Sequence, residues 1–150
     1  MQVIGYQGFK TFLKKVLTEH HYFSSIVCMM KNDMPINNLL KFDDLDFKPH
    51  RHADGVQAVL DLGNDISISV VANNDGGQGL YGQVSDDLYE VAVFYKNDMV
   101  PLSPSDDVVG WQSPNQISYL MMKAQVEAFH WVGGLRNEKK EYRREFELDN

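Results

Sequence analysis

Three stretches decide the fold: Gly55-Val-Gln-Ala-Val-Leu-Asp-Leu62, Ile66-Ser-Ile-Ser-Val-Val-Ala72 and Leu88-Tyr-Glu-Val-Ala-Val-Phe-Tyr95. In the first, Val56, Ala58, Leu60 and Leu62 fall on one side and Gln57 and Asp61 on the other, the period of two that a half-buried strand requires. The second sets Ile66, Ile68, Val70 and Ala72 against Ser67 and Ser69. Gly63-Asn64 joins them with residues that tolerate positive φ, which marks a hairpin. In the third, Tyr89, Val91, Val93 and Tyr95 oppose Leu88, Ala92 and Phe94, so both faces are apolar except for Glu90. Such a strand suits the centre of a sheet covered on two sides.

Working outward, Lys96-Asn97-Asp98 turns the chain into Met99-Val-Pro-Leu102, read as a short edge strand because Pro101 cannot donate to a ladder. Ser103 to Asp107 reads as loop. Ser113-Pro-Asn-Gln116 is a helix start, with Ser113 as N-cap, Pro114 in the first position and Gln116 closing a capping box. Ile117, Leu120, Met121, Ala124 and Ala128 then form the stripe expected to pack on the sheet. Gly133-Gly134 predicts an interruption, and Leu135 to Leu148 reads as a separate charged helix that could serve as a lid, a dimer arm or a tail. Upstream, Phe9, Phe12, Leu13, Val16 and Leu17 make one face of a helix over Gln7 to Glu19. Tyr22 to Met30 continues apolar as a short helix or a strand, and Ile36 to Leu45 allows one or two helical turns. The predicted fold class is α+β: an antiparallel sheet of three to four strands packed by N- and C-terminal helices. A single domain over 1–135, with its sheet core at 47–102, precedes a charged segment at 136–150.

At 150 residues, 43% hydrophobic and 23% charged, the chain can bury a core without covalent staples. Its one cysteine, Cys28, has no partner for an intramolecular disulfide and reads as a small apolar side chain in Ile26-Val-Cys-Met-Met30. No apolar run reaches the roughly 18 residues of a membrane span, and the N-terminus lacks a signal-peptide pattern, so a cytoplasmic location is expected. The net charge is −7. A duplex-binding protein carries a basic footprint, so direct nucleic-acid binding is not expected. In the C-terminal segment Arg136, Lys139, Lys140, Arg143 and Arg144 offset Glu138, Glu141, Glu145, Glu147 and Asp149. The excess acid therefore lies upstream, in neighbours such as Asp43-Asp44, Asp86-Asp87 and Asp106-Asp107. These read as solvated turn residues; an acidic face that imitates DNA is the sharper alternative.

Two motifs invite a chemical reading. His50 and His52, with Asp54 after them, would share a face if extended, but a zinc site needs three or four ligands. The expectation is an exposed lead-in strand without metal. Gly77-Gln-Gly-Leu-Tyr-Gly82 has dinucleotide-site spacing, yet it leads into another strand rather than the helix N-terminus that holds a pyrophosphate. No cofactor is expected, although a nucleotide binder or hydrolase using this loop with Asp75, Asp86 or Asp87 is an alternative.

Phe47, His50, Gly55-Val-Gln-Ala58, Asp61-Leu-Gly-Asn64, Ser69-Val-Val71, Leu88-Tyr-Glu-Val-Ala-Val-Phe94 and Asp106-Asp-Val-Val-Gly110 carry a resemblance. In these pieces the chain resembles a family of small accessory proteins encoded by tailed bacteriophages, which also place a glycine-tyrosine loop, here Leu80-Tyr81-Gly82, before the third strand. The N-terminal helical region and the charged C-terminus depart from that pattern. The resemblance implies a virus-encoded protein in a bacterial host cytoplasm and supplies no catalytic residues. A non-enzymatic protein that binds a host or phage protein is the resulting expectation. Its candidate contacts are Tyr81, Trp111, Trp131 and Tyr142, since aromatic anchors dominate binding energetics.

Overall fold

The computed structural model describes residues 38–147. The helix expected over Gln7 to Glu19 and the apolar run containing Cys28 lie outside the described residues. From Leu39 onward the chain belongs to one compact unit, described here by itself. Its elements are β1 (Lys48–Pro49), β2 (Gly55–Gly63), β3 (Ile66–Asn73), β4 (Tyr89–Tyr95), β5 (Asp98–Met99), β6 (Val108–Gln112) and a long helix, α1 (Pro114–Glu147).

The meander of three strands is present, but the sheet is larger than three to four strands. It is antiparallel throughout and runs β1-β2-β3-β4, with β5 and β6 both paired to β4. Both strands share one edge of β4. Phe94 pairs with Met99 towards one end, and Tyr89 pairs with Gln112 at the other. The sequence reading missed β6 because Val108-Val-Gly-Trp-Gln112 is short, with glycine at its middle and no clean alternation. The expected Met99–Leu102 edge strand is instead Asp98–Met99, though Val100 still donates its amide to the Val93 carbonyl and is fully buried.

Two hairpin turns set strand register, one joining β2 to β3 and the other β4 to β5. Asn64 and Asp65 both take positive φ (53° and 61°), as do Lys96 and Asn97 (52° and 66°), matching the right-handed twist of the strands they join. The Lys96 amide donates to the Asp65 carbonyl at 2.8 Å, tying one turn to the other.

Helix α1 begins as its sequence dictates. Ser113 donates its amide to Gln116 Oε1 at 2.9 Å, and Gln116 returns its own amide to Ser113 Oγ. Ile117, Met121, Ala124 and Ala128 are buried as the stripe requires, and Trp131 and Val132 extend it. They form one core with Ile66, Ile68, Val70, Val91 and Val93 on a single face of the sheet. Each large aliphatic removed from water there contributes roughly 1.5–3 kcal/mol. On the other face, among the described residues, Val59 is 65% exposed and Ala92 and Phe94 are half-buried, and no described helix packs there as α1 does on the first.

Gly133-Gly134 does not interrupt the helix. The departure from helical geometry is at Glu127 (φ −140°, ψ 41°), and α1 then runs through both glycines to Glu147. A helical glycine costs about 1 kcal/mol relative to alanine, which the burial of Trp131 and Val132 and the partial burial of Leu135 beside them offset. Lys139 also pairs with Asp107 on the loop before β6, holding the charged half of the helix to the unit.

The segment before β1 is strapped to α1. Gln125 accepts the Leu40 amide and donates to the Leu40 carbonyl, each at 2.8 Å, and Ser118 Oγ accepts the Phe42 amide at 3.1 Å. Phe42, Phe47 and Tyr89 then stack as three rings with centroids 5.0–5.7 Å apart. Gln125→Ala strips partners from two part-buried backbone groups. A loss of about 1–3 kcal/mol in urea unfolding is expected, and an unchanged midpoint would show that the strap contributes nothing.

Candidate functional site

Strand β3 ends at Asn73, which is only 3% exposed although polar. Its Nδ2 donates to the Leu80 carbonyl at 2.7 Å and the Gly82 carbonyl at 2.9 Å, while its Oδ1 accepts the Leu80 amide at 3.3 Å. The Asn73 amide also donates to the Gly82 carbonyl. These bonds draw Leu80–Gly82 in beside the end of β3, where Gln83 bridges both Asn73 and Leu88. Gly82 fits only because it lacks a side chain, since a Cβ there would fall 2.6 Å from the Tyr89 Cα.

Tyr81 is consequently fixed. Its amide donates to Glu90 Oε2 at 2.7 Å, and its carbonyl accepts the Trp111 amide at 2.7 Å. Gly110 lies directly beneath, where a Cβ would come within 2.4 Å of the Tyr81 Cβ. Trp111 takes φ 56°, a left-handed conformation uncommon for so bulky a residue. Both rings remain half in water, Tyr81 at 59% and Trp111 at 52%. The structure thus brings together two of the four aromatics singled out from sequence. Sequence reasoning missed their supports, Asn73, Glu90 and Gly110; the glycine before tryptophan was the available signal for a close backbone approach.

The other two candidates lie elsewhere. Trp131 is a core residue at 6% exposure, so it offers no surface contact. Tyr142 is half-buried on the distal part of α1 and stacks on Phe146 at 4.5 Å.

The glycine-rich loop is held by its own bonds. Gly77 donates its amide to the Asn74 carbonyl, Gln83 Nε2 reaches the same oxygen, and Asn74 pairs with Asp54 through main chain and side chain. A three-residue 3₁₀ turn, Val84–Asp86, follows Gly82, not a helix that could present amides to a phosphate. His50 likewise serves its own loop. Its Nδ1 accepts the amides of His52 and Ala53 at 3.1 and 2.9 Å, and residues 51–54 bend instead of extending. Among the described residues, no group of three or more potential ligands could hold a metal ion. Of the paired aspartates, Asp44 accepts the Lys41 amide, Asp43 pairs with Lys41 at 3.2 Å, Asp87 accepts the Tyr89 hydroxyl, Asp106 accepts the Val108 amide and Asp107 meets Lys139 of α1. No described helix is long and apolar enough to cross a membrane.

The chain matches no protein-family model, and no curated protein or solved structure is significantly similar to it.

Tyr89 underlies this corner of the sheet. Burial, with a hydrogen bond of its hydroxyl to Asp87 Oδ1 at 3.1 Å and the charge of that carboxylate, pushes its pKa up from 10.0 to about 12. The fold therefore favours the neutral phenol. That contribution is complete below pH 10, where the unfolded chain is also neutral, and is lost between pH 10 and about 12. Titration followed at 295 nm is expected to show one of the seven tyrosines ionising near 12. Tyr89→Phe should abolish that phase and flatten the fall of the urea midpoint across the same window. A midpoint that falls equally in both proteins would remove Tyr89 as its cause.

Proposed function

We propose that this protein acts by non-catalytic binding to another protein, with Tyr81 and Trp111 as its anchors. One observation carries the reading: a half-exposed tryptophan is held in a left-handed backbone conformation by surrounding bonds. A non-glycine residue at positive φ costs roughly 1–2 kcal/mol, and such strain concentrates where a side chain must be presented in one direction. Tyr81 beside it is fixed by Glu90, Gly110 and the Asn73 clamp. The pair loses little further freedom on contact, and large, rigid, amphipathic rings of this kind carry most of the energy at protein interfaces. The resemblance of the strand pieces to small bacteriophage proteins supplies the partner class, a host or phage protein met in a bacterial cytoplasm.

The test separates stability from binding. Asparagine tolerates positive φ, so Trp111→Asn is expected to keep the melting temperature within a few degrees of the parent, or raise it. The same variant and Tyr81→Ala should each lose the protein that the parent retains from an infected bacterial lysate, identified by mass spectrometry. Retention of no protein by the parent, together with turnover of a nucleotide, would overturn the reading in favour of an enzyme. Equal capture by parent and Trp111→Asn would remove this pair as the anchor.

A further inference from the structure

Strand β6 carries one residue more than the edge it pairs with. Gln112 stands opposite Tyr89 and Val109 opposite Val91, so Gly110 and Trp111 share the place facing Glu90. Such a bulge bends the strand and re-aims a side chain, and here it falls at the left-handed Trp111. Sliding β6 along β4 would absorb the surplus, but the next place is taken: the Val93 carbonyl already accepts the Val100 amide. Trp111 can therefore relax only if Val108 and Val109, both half-buried, lift away from β4.

Helix α1 fastens β6 at both ends. At one end Ser113 and Gln116 close the capping box, and at the other Lys139 meets Asp107. The Lys139 side chain is 20% exposed, against 61% and 74% for the lysines of the other two ion pairs among the described residues, so this pair is the least screened by water. A straight helix would carry Lys139 about 39 Å from Ser113. Extended chain from Asp107 to Ser113 covers at most roughly 22 Å, and at bond lengths near ~1.5 Å a lysine touching an aspartate bridges about 12 Å more. The two therefore meet only because α1 bends, and the bend is at Glu127.

We propose that Lys139 is a positioning residue for Trp111, and that α1 beyond Glu127 works as a latch with two states. Latched, it pins the start of β6 to the edge of β4, and the surplus residue keeps Trp111 left-handed over the Tyr81 carbonyl. Released, Val108 and Val109 lift, Gly110 parts from Tyr81, and Trp111 returns to an extended backbone. The use of such a latch rests on the reading of Trp111 as an anchor; the latch itself does not. Since the presented ring and the closed ion pair require each other, a partner that grips Trp111 tightens the pair, and loss of the pair weakens the partner by the same factor.

The test reads the ring directly in the full chain. Labelled with fluorotryptophan, the protein gives one fluorine resonance from each of its two tryptophans, and the one missing from Trp111→Asn belongs to Trp111. Lys139→Met is expected to move that resonance or split off a second, leave Trp131's in place, and hold the melting temperature within a few degrees. The Trp111 amide should exchange with deuterium about tenfold faster or more while the amides of β3 keep their rates. Lys139→Arg should retain the parent spectrum, and Lys48→Met, which opens the exposed pair with Asp46, should change neither resonance. A Trp111 resonance unmoved by Lys139→Met, or moved equally by Lys139→Arg or Lys48→Met, would overturn the proposal. So would a shift of both tryptophans together, which marks loosening of α1 itself. No partner is present in these measurements, so they succeed or fail whether or not Tyr81 and Trp111 capture a protein.

Discussion

The buried side chain of Asn73 is the constraint on which the exposed corner of this molecule depends. An amide so enclosed must find partners, and it takes them from Leu80 and Gly82. A loop rich in glycine would otherwise sample many conformations. Because Asn73 selects one of them, Tyr81 settles on Gly110, and the Trp111 amide finds its acceptor in the Tyr81 carbonyl. One polar group inside the sheet thus decides the direction of two rings outside it. Among the described residues no buried side-chain polar atom lacks a partner, so this arrangement leaves no unpaired group behind.

The rest of the unit is simpler in its physics. One face of the sheet carries the buried aliphatics of β3 and β4, and α1 lays its apolar stripe against them. Gln125 and Ser118 then fasten the chain before β1 to the same helix. The helix is thereby held from two directions, by apolar contact with the sheet and by hydrogen bonds to the strap. Beyond the non-helical Glu127 its distal half continues as helix through two glycines, with Trp131, Val132 and Leu135 packed inward and Lys139 on Asp107.

The strands and the helix start were legible because their signals are local. Alternation in Val56 to Leu62 and Ile66 to Ala72 needs no knowledge of the partner strand, and the Ser113–Gln116 box closes within one turn. What escaped the reading depends on contacts distant in sequence. Strand β6 is a strand only because β4 offers it an edge, and Val108 to Gln112 carries no periodicity of its own. Gly133-Gly134 reads as a break until the inward anchors on both sides are known. Trp111 and Trp131 look alike in sequence; the first follows a glycine beneath Tyr81, and the second falls on the inner stripe of α1. Exposure of an aromatic is thus a tertiary property, and composition alone could not divide the four candidates.

The margins of the sheet bear on whether a further strand could be added to it. Strand β1 presents Lys48, whose charge resists neighbours, and Pro49, which has no amide to offer. Farther along β2, the register against β3 shifts between Asp61 and Gly63, the kind of irregularity that raises local twist. On the opposite margin the left-handed Trp111 spoils the straight ladder that an incoming chain would have to match. Among the described residues, rims blunted in this way are poor templates for an added strand.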